Sequence, residues 1–389
     1  MTQFVEGRLL QNPLRWGMVG GGQGSQIGYS HRDAAARDGL MRLCAGAFDL
    51  DAQRGRSFGT SLGLEVARCY SDYLTMFAAE AARPDGIQVV SIATPNSSHY
   101  AICKAALQAG LHVICEKPLT TRLDQALELQ ALAQAKGLVL GVMYGYTGYE
   151  MVQQARAMVQ NGELGVVRLV HMQFAHGYHA TAVEQADPGI QWRVTPAVSG
   201  SSYVIGDLAT HCFQMGSLIS GLQVQSLSCM RRSFVASRAP LEDDAHVMLR
   251  YEGNAVGTVW ASAINIGSAH AFKVRVVGEK GSLEWWDEQP NQLQVAFIGK
   301  PEMRYERGHG YLDASARFER VGGGHPSGYF DAWANLYRRF ALAMSPEPQA
   351  KDLLDGQWFP SGQDGVQGVR FVERCVASAD QGSAWVDFA

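Results

Sequence analysis

Lys117, Asp207 and His211 are the side chains whose type and surroundings could move a proton or steady a negative oxygen. Lys117 stands in Glu116-Lys117-Pro118, directly after a short apolar run. A lysine at a strand end can hold a substrate hydroxyl and favour its deprotonation. Pro118 fixes its own φ and biases Lys117 away from helix, which suits a fixed presentation of the amine. The plainer reading is a solvated surface lysine. Asp207 and His211 are four residues apart in a helical pattern, which puts them on one face. Leu208, Cys212, Met215 and Ile219 form the adjacent apolar stripe, and Asp207 sits where a helix start favours negative charge. Such a pair can be structural, metal-binding or catalytic. A metal is the weakest option, because no third ligand is evident and His176 and His179 are loop histidines with no obvious coupling. A neutral imidazole suits proton abstraction, since its reference pKa of about 6.5 lies near working pH.

A second constellation could hold a dinucleotide. Gly20-Gly21-Gly22-Gln23-Gly24-Ser25 fits G-x-G-x-x-[GS], with Ser25 in the last position. Gly20, Gly22 and Gly24 would permit a tight turn and a close approach of backbone to pyrophosphate, with the next helix offering its positive end. A purely structural turn remains open, because glycine-rich turns are common. Asp49 follows Ser25 by 24 residues, close to the ~20 expected of an acid that binds the adenosine ribose. Its alternative is a turn or helix-cap residue.

These groups need elements to position them. Up to about residue 143, short apolar runs alternate with amphipathic stretches. The runs are Leu14–Val19, Leu43–Phe48, Val89–Ala93, His112–Cys115 and Leu138–Met143, with helices expected near Gln26–Arg37, Ala52–Phe58, Tyr73–Ala82, His99–Ala109 and Leu123–Lys136. That alternation predicts an α/β domain with a parallel sheet, and Thr94-Pro95-Asn96 and Glu116-Lys117 then fall at its carboxyl edge, where ligands bind. Beyond it come a helix at Met151–Gln160, a strand at Val166–Phe174, a long irregular stretch from His176 to Ser202, and a helix at Asp207–Ser220. From Val224 to Phe297 strand-like runs dominate, which predicts a large open, mostly antiparallel sheet. Late helices are expected at Asp331–Met344 and Gly365–Ser378. The expected division is a nucleotide-binding Rossmann domain over 1–143 and a C-terminal α+β domain for substrate binding and oligomerisation over 144–389.

Composition narrows the class. The chain has 389 residues, 47% of them hydrophobic and 18% charged, with a formal charge of −4, which favours a globular protein of about two domains. No basic block points to nucleic acid, and no apolar run is long enough to span a membrane. Met1–Pro13 lacks the apolar core of a secretion signal. The seven cysteines are scattered without a C-x-x-C pair, so a reducing, cytoplasmic setting is expected, with no disulfide framework and no metal.

The glycine turn, Thr94-Pro95-Asn96, His99, Ala109-Gly110-x-His112-Val113 and Glu116-Lys117-Pro118 together resemble the Gfo/Idh/MocA oxidoreductases. Gly200–Gly221 is similar to that family's G-x-D-x-x-x-H helix, and Val276–Glu284 to its V-x-G-x-x-G turn. Trp192-Arg193, Pro290-Asn291 and Gly324-His325-Pro326-Ser327-Gly328-Tyr329 resemble a branch containing levoglucosan dehydrogenase-like enzymes. Ala209 and Gln214 depart from the family pattern, where glycine and aspartate are usual. The resemblance implies bound NAD, with NADP possible, contacted by the glycine turn, Asp49, Thr94, Pro95, Asn96, Glu116 and Lys117. It implies Lys117, Asp207 and His211 as catalytic residues, with His211 the general base and Asp207 holding a substrate hydroxyl or orienting the histidine. It also implies a frequently cis Lys-Pro bond and an oligomer built on the open sheet.

The expected activity is hydride transfer between nicotinamide and a hydroxyl carbon of a sugar, anhydrosugar or cyclic polyol. Trp192, Arg193 and His325, with Lys117, Asp207 and His211, are the expected substrate contacts. A homodimer or homotetramer is expected, with Trp260, Trp285 and Trp286 on the open face. Two other functions fit the same residues: a glycosidase that oxidises its substrate transiently with NAD, and a non-catalytic NAD-responsive binding protein. Net NADH formation separates the first from a dehydrogenase. Joint presence of Lys117, Asp207 and His211 speaks against the second.

Overall fold

The computed structural model describes residues 9–317 and 320–389. The opening segment, read above for a secretion signal, lies mostly outside them.

The first compact unit comprises 9–148 and Tyr329–Val366. Its strands are β1 Leu14–Gly20, β2 Met41–Ala47, β3 Val89–Ala93, β4 His112–Glu116 and β5 Leu140–Met143. All pair in parallel, in the order β2-β1-β3-β4-β5. Nearly continuous burial along β3, β4 and β5 shows that both faces are covered. The helices are α1 Gln26–Arg37, α2 Ala52–Ser61, α3 Tyr73–Ala81, α4 Asn96–Gln108 and α5 Leu123–Lys136. The order in which strands are added reverses between β1 and β3, and the carboxyl ends there carry Gly20 and Ala93-Thr94. That is the position at which open α/β sheets bind ligands.

The second unit comprises Tyr149–Gly328 with Gln367–Ala389. It contains α6 Glu150–Gln160 and β6 Val167–Ala175, then short helical turns α7 Pro188–Gln191 and α8 Pro196–Ser199 within the stretch expected to be irregular. Next come a π-helical turn at Ile205–Ala209 continuous with α9 Thr210–Ser220, and strands β7 Val224–Arg232, β8 Asp244–Tyr251, β9 Val256–Ser262, β10 Lys273–Gly278, β11 Gly281–Trp286, β12 Gln292–Phe297 and β13 Met303–Glu306. The chain continues through α10 Tyr329–Met344 and α11 Pro348–Leu354 of the first unit, then α12 Gly362–Asp380 and β14 Val386–Asp387. The nine strands run β13-β12-β11-β10-β6-β9-β8-β7-β14, parallel only between β6 and β9 among the described pairings. Along β8 buried and exposed residues alternate, as expected of a sheet with one covered face. Helices α6 and α9 pack on that face.

The first compact unit also takes in α10 and α11 from the later part of the chain. Leu336, Phe340 and Ala341 of α10 join the core formed by Trp16, Met18, Val89 and Ile114. Trp285 is fully buried against Tyr149 and Phe272, so it is not on the open face; Trp260 and Trp286 are half-buried.

Candidate active site

The glycine turn is built by close contacts. Gly20 and Gly24 have φ of +75° and +79°. A Cβ on Gly20 would meet the Ala93 carbonyl at 2.5 Å, and one on Gly22 the Phe48 carbonyl at 2.6 Å. At Gly24 a Cβ would meet nothing within 4 Å, so the turn borders open space there. Ser25 caps α1, its hydroxyl accepting the Gly28 amide. The tightest helix-to-turn approach falls on Gly28, where a Cβ would sit 2.2 Å from the Gly21 carbonyl. Gly28 is thus a residue the motif reading missed, and only the structure shows it.

Asp49 follows β2. It accepts from the Asp51 amide and from Arg54 Nη2, both at 2.8 Å. The Arg54 guanidinium, helped by that amide, holds its carboxyl below the usual range, so Asp49 stays anionic.

His99, fully buried in α4, ties the two strand-end loops together. Its Nδ1 lies 2.9 Å from the Pro118 carbonyl and its Nε2 2.8 Å from the Thr94 carbonyl. Burial pushes its pKa down, while the two carbonyl acceptors pull it up. Thr94-Pro95-Asn96 and Glu116-Lys117-Pro118 are therefore held as one piece. Asn96 opens α4, and Lys117-Pro118 is cis. Glu116 is buried, yet its Oε1 has no hydrogen bond of good geometry among the described residues. A glycine turn that borders open space, with an anionic carboxylate after the neighbouring strand, fits a nicotinamide dinucleotide, whose pyrophosphate needs close backbone approach and whose ribose hydroxyls donate.

In the second unit the structure brings three expected residues together. Arg193 Nε lies 3.5 Å from Asp207 Oδ2, and its guanidinium lies 4.6 Å from the Trp192 ring centroid. Asp207 sits in the π-helical turn, a local widening common at functional sites. His211, buried one turn later, packs beside Phe174 with ring centroids 6.2 Å apart. Phe174 also touches His176 and His270, and His176 lies 5.2 Å from His179. The loop histidines are thus coupled after all. His179 pairs with the Tyr203 hydroxyl, and His270 with Asp287 at 2.9 Å. Burial, reinforced by His179, pushes His176 down to about 4, so it is neutral at physiological pH.

Glu242 is a second residue without a sequence signal. It is buried, and its Oε1 accepts from Ser202 Oγ and from the amides of Tyr203 and Ile205 at 2.6–3.0 Å, anchoring the start of the helix that carries Asp207 and His211. His325 is not gathered with these groups: its side chain is exposed and its carbonyl is held by Arg307. The same Arg307 bonds Asn291 Oδ1, which accepts the Ser327 amide, so Pro290-Asn291 and the Gly324–Tyr329 segment meet. Among the described residues no group of three His, Cys, Asp or Glu could hold a metal ion.

A parallel sheet with a glycine turn at its switch point, followed by an α/β unit on an open sheet, defines a two-part NAD-binding oxidoreductase. Residues 14–144 match the NAD-binding Rossmann fold of an oxidoreductase family, and residues 156–388 match its C-terminal alpha/beta domain. The chain belongs to the Gfo/Idh/MocA family. It is 49% identical to an uncharacterized oxidoreductase, YfiI, of Bacillus subtilis, over 98% of both chains. An inositol dehydrogenase homologue from Azotobacter vinelandii, solved with NADH and myo-inositol, is 52% identical with a TM-score of 0.92, covering 98% of this chain and 99% of that one. The levoglucosan dehydrogenase of Pseudarthrobacter phenanthrenivorans is more distant, 25% identical over 85% of this chain and 91% of its own.

Proposed function

We propose that this NAD-dependent oxidoreductase oxidises a ring hydroxyl of a cyclic polyol, of which myo-inositol is the first candidate, or of a related sugar. The observation that carries this reading is the grouping of Asp207, Arg193 and Trp192: a carboxylate and a guanidinium to bond hydroxyls, beside an aromatic ring that packs on ring C–H groups. The myo-inositol complex of the half-identical relative supports the same class.

NAD, when bound, supplies the hydride acceptor. His211 takes the hydroxyl proton as general base. Asp207 holds a neighbouring hydroxyl, with Arg193 steadying its carboxylate. Lys117 stabilises the negative charge that develops on the oxygen being oxidised. The chain works as a homodimer or homotetramer through the open sheet face, which presents Met248 and half-buried Trp260 and Trp286. A cytoplasmic setting suits seven free cysteines.

The test compares NAD titration calorimetry with steady-state kinetics on myo-inositol. Lys117→Ala and His211→Ala should each lower kcat by at least ~10², the low end for a positioned acid–base group, with NAD affinity little changed. Normal turnover in either variant removes that residue from the mechanism.

A further inference from the structure

A chain of buried polar groups runs through the first unit and ends on Glu116, next to Lys117. It begins at Trp16 of β1, whose Nε1–H donates to Ser91 Oγ of β3 at 2.9 Å. The Ser91 hydroxyl lies 2.7 Å from the Tyr337 hydroxyl of α10, and Tyr337 lies 2.5 Å from His31 Nδ1 of α1. His31 Nε2 then lies 3.0 Å from Glu116 Oε1. Trp333 sets its ring edge-on to His31 at 5.1 Å.

The protons run one way. The indole can only donate, so Ser91 accepts from it and offers its own proton to Tyr337. Burial pushes the Tyr337 phenol far up, so it keeps its proton and donates to Nδ1. With Nδ1 accepting from Tyr337, the ring proton of His31 sits on Nε2, facing the Glu116 carboxylate. This last contact is close but poorly aligned, since neither atom has a hydrogen bond of good geometry. It acts as a contact between the imidazole dipole and the Glu116 carboxylate, out of water, where such contacts are strengthened. Tyr337 therefore sets the tautomer of His31, and His31 sets the position of Glu116.

We propose that His31, aligned by Tyr337, is a positioning residue for Glu116 and the Lys117 amine that follows it. The proposal rests on the catalytic reading of Lys117. His99 grips the same segment from the far side of Lys117, through the Pro118 carbonyl. Lys117 thus stands between two histidine-held neighbours, and the His31 side is the one fixed through a side-chain charge.

The experiment measures kcat, KM for myo-inositol, calorimetric NAD affinity and thermal midpoint for Tyr337→Phe, His31→Gln and His31→Ala, alone and combined with Lys117→Ala. Tyr337→Phe removes one oxygen and keeps the ring contacts with Trp16 and Phe340. It should lower kcat roughly tenfold, the scale of a sub-ångström misplacement, with NAD affinity unchanged. His31→Gln, which keeps a donor, should retain more turnover than His31→Ala. In the Lys117→Ala background none of the three should lower kcat further. A lowered thermal midpoint with full kcat in Tyr337→Phe, or equal losses with and without Lys117, overturns the positioning role. Normal turnover of Lys117→Ala alone overturns the reading beneath it, and is seen before any His31 variant is considered.

Discussion

In the proposed reading, Asp49 carries the coenzyme preference on a single carboxylate. It is anionic, held between the Asp51 amide and Arg54, and Arg54 is committed to that pair. A ribose with free hydroxyls can donate to Asp49, whereas a 2′-phosphate meets like charge. NAD should therefore exceed NADP in kcat/KM by about tenfold or more, and Asp49→Ser, which releases Arg54, should narrow the ratio. A wild-type preference for NADP would sink this assignment. Asp49 could be named as a candidate from the sequence because one helix and one strand, α1 and β2, set its distance from the glycine turn. His31 and Tyr337 were not: they lie 306 residues apart, and no spacing rule connects them. Trp192, Arg193 and Asp207 could be listed as candidates, but their meeting depends on the short turns α7 and α8, inside a stretch whose pattern reads as irregular.

Helices and strands with strong periodicity were readable almost residue by residue: α1 and α5 begin and end where their patterns do. The π-helical turn at Ile205–Ala209 was not, because one extra residue in a turn leaves the apolar stripe of α9 intact. What anchors that turn is Glu242, which lies just before β8. Removing its carboxylate strands the Tyr203 and Ile205 amides and the Ser202 hydroxyl in a buried setting, at about 1–3 kcal/mol for each group left unpaired. Glu242→Ala should therefore lower unfolding stability in urea by at least ~2 kcal/mol. A loss below ~0.5 kcal/mol, the usual range for a surface substitution, would mean that water or a neighbour replaces it. Helix α10 shows the opposite failure of sequence reasoning. Its periodicity is plain, but nothing in it says that it returns to the nucleotide-type unit to deliver Trp333 and Tyr337.

For the whole molecule, the sequence showed fold class and family because both depend on element order and local motifs. It could not assign Trp285, since a tryptophan pair at β11 puts one ring on each face and the pattern does not say which is inside. The open face of the nine-stranded sheet is the surface on which a second copy should sit. Light scattering at micromolar concentration should give a dimer or tetramer mass, and a monomer mass would count against that use of the face. The central claim is net transfer of hydride from a polyol ring carbon, and its most direct measurement uses myo-inositol deuterated at the ring carbons. With NAD in excess, one reduced coenzyme should form per ketone, carrying one deuterium from the substrate. Product that forms without net reduced coenzyme, or reduced coenzyme without deuterium, would contradict the account.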